Sequence, residues 1–288
     1  HDDIADTHWF REDFDAFLVG SARIAGAEYL DAVEVREVRP DAKGICLAAR
    51  RNGRDLNFTA RFLIDASGPR GLLHHALGLR ERALEGYPAT QSLFTHFRGV
   101  RRLDELIPLE EAPPCPVDDA ALHHIFPGGW IWVLRFNNGI TSAGVAVEAA
   151  LARELRLAEG RPAWRHLLAR LPTVREQFAG AAACRPFIHR EKLAFASAEI
   201  CGPNWALLPS AAGFVDPLLS TGFPLTLLGV ARLARIIGER WRRPAFAAGL
   251  TDYAQQTATE LDTAAAMIGA LYRHLADPPL FNALTLLY

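Results

Sequence analysis

Four cysteines in 288 residues, Cys46, Cys115, Cys184 and Cys201, include no Cys-x-x-Cys pair, so neither a disulfide framework nor a thiolate zinc site is expected. A reducing cytoplasm is the expected compartment. Lysine is scarce too: the 31 Lys plus Arg residues include only Lys43 and Lys192. The formal charge of −2 comes with no basic block, which argues against nucleic acid and anionic membranes as partners. No apolar run has both the length and the flanks of a membrane span or signal peptide; residues 223–237 come nearest and read as a buried helix. The chain contains no Gly-x-Gly-x-x-Gly run, hence no glycine turn that would cradle a dinucleotide pyrophosphate. It also contains no Gly-x-Ser-x-Gly elbow or other nucleophile pattern. Adjacent strand residues face opposite sides and adjacent helical residues diverge, so neither His74-His75 nor His123-His124 can chelate as a unit. No metal is expected.

Half of the residues are apolar, enough to bury a substantial core and to form more than one domain. Phe10, Phe14, Phe17, Leu18, Ala22 and Ala25 recur at helical spacing over residues 10–26. Segments 28–38, 44–50 and 55–61 alternate apolar with polar residues and are separated by Pro40-Asp-Ala-Lys-Gly44 and Asn52-Gly53, the pattern of an antiparallel meander. A buried strand is expected at 61–65, and further strands at 90–99, 121–127, 129–136 and 139–147. The last two are joined by the hairpin turn Asn137-Asn138-Gly139. The acidic, Pro-rich stretch 104–119 reads as an exposed loop. Helices at 150–158 and 162–180, a strand at 186–197, and helices at 223–241, 246–276 and from Pro278 complete the reading. No internal repeat is visible.

Trp205-Ala-Leu-Leu-Pro-Ser-Ala-Ala-Gly-Phe-Val-Asp-Pro-Leu-Leu-Ser-Thr-Gly222 runs from an apolar strand through a small-residue turn into a helix opened by Pro224. Such a junction aims free backbone N–H groups and a positive helix end at one point, which suits an anion or a polarised carbonyl. Ser220 and Thr221 could equally serve as N-cap residues. Phe62-Leu-Ile-Asp-Ala-Ser-Gly68 is a second strand with a small-residue turn. There Gly68 allows close backbone approach to a nucleotide, while Asp65 either faces a ligand at the strand end or closes an Asx turn. Trp130 and Trp132 lie two apart on a strand and share one face, either walling a path to substrate or filling a core. Arg11 reaches a cofactor or sits on a solvated helix start.

Together these segments resemble the signatures of the FAD-dependent monooxygenase and halogenase superfamily, in that family's order along the chain. Asp216-Pro217 and Ser220-Thr221-Gly222 match its Asp-Pro-x-x-Ser-x-Gly turn, and Arg11-Glu-Asp-Phe-Asp15 its Arg-x-x-Phe-Asp helix. Ala66-Ser67-Gly68 and Trp130-x-Trp132 resemble the halogenase Cys-Thr-Gly turn and Trp-x-Trp-x-Ile-Pro strand. Pro209-Ser210 stand where the family has Gly-Asp, and Leu134-Arg135 where it has Ile-Pro.

The resemblance implies an α/β fold, α+β overall: an FAD-binding dinucleotide-type domain over 1–85 and 186–245, an inserted antiparallel substrate sheet over 86–185, and a helical region over 246–288. It implies FAD held by Arg11, Gly68, Ser210, Asp216, Pro217, Ser220, Thr221 and Gly222, with Trp130 and Trp132 in the catalytic space. Reduced FAD and oxygen would oxidise halide or a small organic substrate, with halide and a separate flavin reductase as partners. A monooxygenase or dehydrogenase without halogenation is the alternative, and a catalytically inactive binding fragment is another. The family's glycine-rich segment and a lysine on which halogenation depends would precede His1, roughly a hundred residues of architecture. Neither Lys43 nor Lys192 matches that lysine.

Overall fold

A computed structural model describes residues 8–41, 44–108, 113 and 115–287; Lys43 and part of the acidic loop lie outside these. Contacts divide the chain into two compact units. The first comprises residues 1–29, 89–192 and 272–283, the second residues 30–88, 193–271 and 284–288. This division by compactness cuts differently from the division by function read in the sequence: the opening helix Arg11–Ile24 belongs with the large sheet.

The first unit is built on an antiparallel sheet in the order Ile188–Arg190, Thr90–Arg98, Thr141–Glu148, Gly129–Arg135, Leu122–Phe126, with Ala182–Ala183 also pairing along Thr90–Arg98. Period-two alternation sorts the side chains. Leu93, Ile131, Val133, Val145 and Val147 face one way and bury against Leu155, Trp164, Leu167 and Phe178 of the following helical segments. The turn at 136–140 is the expected hairpin, with Gly139 at φ +75°. The helix expected over 162–180 is two, Arg161–Arg170 and Pro172–Gln177, because proline disfavours helical geometry at the residue before it.

In the second unit, Val33–Pro40, Ile45–Arg51 and Arg54–Ala60 form the expected meander, and Asn52 and Gly53 both adopt positive φ, the geometry of a type I′ hairpin. Leu63–Asp65 pairs in parallel with Trp205–Leu207, which is flanked on its other side by Cys201–Gly202. The strand expected over 186–197 is reduced to Ile188–Arg190 and Phe195–Ala196, which pair with different partners. Helix Gly222–Arg240 lies against the short helix Pro209–Ala212 through Gly229, where a Cβ would stand 2.4 Å from the Pro209 ring. The expectation that residues 223–237 form a buried helix is corrected: along Gly222–Arg240 only Gly229, Leu233 and Ile236 are buried. Residues 218–240 are also long and apolar enough, by length and composition, to cross a membrane. Hydropathy reports the composition of a helix, not what covers it.

Candidate functional site

The parallel pair Leu63–Asp65 and Trp205–Leu207 sets the geometry of the second unit. Its register, Leu63 with Trp205 through Asp65 with Leu207, brings both strands to an end side by side, and Leu208 N–H donates to the Asp65 carbonyl at 2.9 Å. The two signature turns therefore leave the same edge, the carboxyl ends of parallel strands, where open α/β sheets bind their ligands. Asp65 is buried and closes its own turn. Its carboxylate accepts the Ser67 N–H at 2.8 Å, the Ser67 hydroxyl and the Leu73 N–H at 2.7 Å, which is the Asx reading of this residue. Gly68 follows at φ +85° with open space where a Cβ would be.

The second turn is shaped by Asp216. Its buried carboxylate accepts the Leu218 N–H at 2.9 Å and the Tyr87 hydroxyl at 2.6 Å, so this side chain supports the turn from behind. Leu219 and Ser220 then adopt φ of +62° and +54°, two successive non-glycine residues in the left-handed region. Such conformations persist only where the surroundings over-determine them. Helix Gly222–Arg240 starts directly afterwards with no side-chain cap, so the N-cap alternative for Ser220 and Thr221 is not realised. The first amide N–H groups of this helix begin at Gly222, where a Cβ would meet nothing within 4 Å. These amides, at the positive end of a 19-residue helix, can receive an anion or a carbonyl oxygen. Ser210 sits half-buried one residue into the short helix, beside buried Pro209.

In the first unit, Trp130 and Trp132 share the sheet face opposite the helical core. Their rings are tilted, with centroids 5.5 Å apart. They differ in surroundings. Trp130 is 1% exposed and its Nε1 donates to the Tyr272 hydroxyl at 3.0 Å, whereas half-buried Trp132 donates to Ser142 Oγ at 3.3 Å. Gly144 lies directly across from Trp132, and a Cβ there would come within 2.4 Å of the indole. Neither Tyr272 nor Gly144 was singled out in the sequence. A lone glycine inside a strand is a signal of close approach that could have found the second; a tyrosine deep in a helical pattern carries none.

The two histidines of the neighbouring strand face opposite ways. His123 meets the Trp130 ring edge-on at 4.9 Å, and His124 pairs with buried Gln177 at 2.9 Å. Burial, with a smaller repulsion from His124, pushes His123 down to about 4, so it is neutral near pH 7. The unfolded chain, with an ordinary histidine near 6.5, binds the extra proton first as pH falls. Stability should therefore drop between pH 6.5 and 4, by on the order of 3 kcal/mol from this residue. His123→Gln should flatten that part of the profile in denaturant titrations; an unchanged slope would assign the acid sensitivity elsewhere.

Arg135, on the face opposite the tryptophans, ion-pairs with fully buried Asp118 at 2.8 Å and also donates to the carbonyls of Val100 and Arg101. Arg11 belongs to the same unit, where it is exposed and paired with Asp15 at 2.8 Å, one helical turn on. The ten candidate site residues thus fall into two groups: Gly68, Ser210, Asp216, Pro217, Ser220, Thr221 and Gly222 in the second unit, Arg11, Trp130 and Trp132 in the first.

Comparison with known proteins matches this arrangement to a family. The tryptophan halogenase profile matches residues 8–283. The chain is 32% identical to the tetracycline 7-halogenase of Kitasatospora aureofaciens over 76% of its own length and 40% of that protein's. It is 28% identical to the monodechloroaminopyrrolnitrin halogenase PrnC of Pseudomonas fluorescens, over 96% of this chain and 49% of that one. The crystal structure of halogenase PltM in complex with phloroglucinol and FAD superposes with a TM-score of 0.84 at 29% identity, covering 96% of this chain and 56% of that chain. The chain thus spans about half the length of the curated relatives it matches. On a profile match that runs almost from end to end, the chain belongs to the tryptophan halogenase family.

Proposed function

We propose that the protein containing this chain is an FAD-dependent halogenase acting on a small electron-rich aromatic substrate. The observation that carries the reading is the pair of turns at 65–71 and 208–222, leaving adjacent parallel strands in a member of this family. The residues fit the part of FAD that they would hold. The backbone at Gly68 would lie along the nucleotide, Ser210 would face the ribityl chain, and the Ser220–Gly222 backbone would receive the N1 and C2 carbonyl edge of the flavin or a halide. Asp216 and Pro217 would hold that backbone in place, and Arg11 would assist from its helix. Reduced FAD, when bound, supplies with oxygen the oxidising equivalent; the chain's own groups orient it and stabilise charge without titrating. Trp130 and Trp132 would bound the space through which oxidised halide meets substrate. A separate flavin reductase and a reducing cytoplasm complete the proposal.

The test uses this chain expressed with the coding sequence that flanks it in the genome. Given FAD, a flavin reductase, bromide or chloride, oxygen and phloroglucinol, it should yield a product with the isotope pattern of the halogen. Hydroxylated product alone would favour the monooxygenase reading, to which Leu134-Arg135 in place of Ile-Pro lends support. The 288 residues alone should bind FAD weakly, since they contain no glycine-rich cradle; equal tight binding by both forms in fluorescence quenching would sink that expectation.

Ser210 bears on affinity as well. An acid here would accept a hydroxyl hydrogen bond worth roughly 1.5–3 kcal/mol. Ser210→Asp combined with Pro209→Gly should therefore tighten FAD binding about tenfold to a hundredfold in the longer form. Calorimetry showing unchanged or weaker binding would reject this placement of Ser210.

A further inference from the structure

Asp216 is 2% exposed, and a carboxylate so buried needs donors to replace the water it has lost. Its Oδ1 accepts the Leu218 N–H at 2.9 Å, within the turn it shapes. Its Oδ2 accepts the hydroxyl of Tyr87, 129 residues earlier in the chain, at 2.6 Å. That length is typical of an O–H donor on an ionised carboxylate, a bond about twice as strong as one between neutral groups. The placing of the hydroxyl is itself built into the second unit. Gly86 and Tyr87 lie against Gly269 of helix Ala245–Arg273, where a Cβ would stand 2.0 Å from the Gly86 carbonyl oxygen and 3.2 Å from the Tyr87 Cα. Only a helix surface stripped to hydrogen at this position lets the Tyr87 backbone come so close. The helix thus fixes where the Tyr87 side chain begins, and the Asp216 carboxylate fixes where it ends.

We propose that Tyr87 is a positioning residue for the flavin and halide contact at Ser220–Gly222. Its hydroxyl holds the Asp216 carboxylate in the orientation that shapes the turn, and it offsets negative charge lying behind amides that would receive an anion. The proposal rests on the family reading of that turn. Tyr87 acts through Asp216 rather than on the ligand. A buried carboxylate repels a halide or the anionic edge of a reduced flavin, more strongly in a low-dielectric interior than in water. A donor on each oxygen spreads that charge over two hydrogen bonds. Losing the hydroxyl therefore loosens the turn and strengthens the repulsion, and both effects weaken anion binding. Removing the charge instead, with Asp216→Asn, keeps an acceptor for the Leu218 N–H and offers the Tyr87 oxygen an N–H donor. In that background the hydroxyl becomes dispensable.

Tyr87→Phe removes one oxygen atom and leaves the ring. Amide hydrogen exchange on the 288-residue chain reads the turn without any ligand: Leu218 should exchange about tenfold faster, as expected for weakening a hydrogen bond to a charged group. Exchange in the paired strands Leu63–Asp65 and Trp205–Leu207 should stay as it was. In the flank-extended chain the Kd for FAD and the KM for bromide should each rise about tenfold, with kcat changed less. Gly269→Ala keeps the hydroxyl but displaces the Tyr87 Cα, and should reproduce these changes. In Asp216→Asn chains, Tyr87→Phe should have no further effect. Unchanged exchange at Leu218 overturns the proposal, and so does faster exchange there with unaltered FAD and bromide constants. Faster exchange throughout the second unit, with full additivity of Tyr87→Phe and Asp216→Asn, makes the tyrosine merely structural and also overturns it. If the extended chain binds FAD without halogenating, the proposed activity fails alone, and exchange and FAD titration still decide on Tyr87.

Discussion

Arg135→Leu should lower stability by about 3–5 kcal/mol, because it strands a carboxylate in the interior of the first unit. Asp118 has no exposed surface, and Arg135 is its ion-pair partner at 2.8 Å. The same guanidinium satisfies the carbonyls of Val100 and Arg101, while Asp118 also accepts the backbone N–H groups of Leu103 and Asp104. One substitution thus unpairs a charge and two carbonyls together. A melting temperature lowered by roughly 10 °C is the expected reading. Adding Asp118→Asn should recover part of the loss, since an amide oxygen still accepts from the loop but carries no charge. A cost below 1 kcal/mol for Arg135→Leu would show the pair to be solvated like a surface bridge.

The tryptophans should separate just as sharply. Trp130→Ala removes a side chain that is 1% exposed and orphans the Tyr272 hydroxyl, an expected loss of about 3–5 kcal/mol. Trp132→Ala opens a half-buried position facing Gly144 and should cost clearly less. In the flank-extended chain, where the proposed activity is assayed, Trp132→Ala should retain a cooperative melt while less flavin oxidation yields product. Equal destabilisation by both substitutions in chemical denaturation would make the pair one structural unit and remove Trp132 from the proposed catalytic space.

Much of this architecture was legible because local chemistry and tertiary fate agree. Asn52-Gly53 and Asn137-Asn138-Gly139 specify turns whatever surrounds them, and the alternation across 129–147 specifies a sheet face. The two signature turns were readable as motifs, and the parallel pairing that sets them side by side required the fold. What escaped the sequence depended on distant partners. Asp118 and Arg135 are 17 residues apart with a strand between them, and Trp130 and Tyr272 are 142 apart. Pro172 did carry its own warning, yet helical periodicity on both sides outweighed it. The open face of Gly222–Arg240 was illegible for another reason: an apolar helix looks the same in sequence whether its cover lies within the chain or beyond it.

The left-handed pair Leu219 and Ser220 has a thermodynamic corollary. Conformations of this kind cost of order 1–3 kcal/mol per residue, and the free chain already holds both. That cost is met once, during folding, rather than at each encounter with a ligand. Whatever docks on the following amides finds them already aimed, so its affinity is not reduced by the work of shaping the turn. Glycine at 219 or 220 would relieve the strain and let the turn wander, giving a chain that is easier to fold and a poorer host.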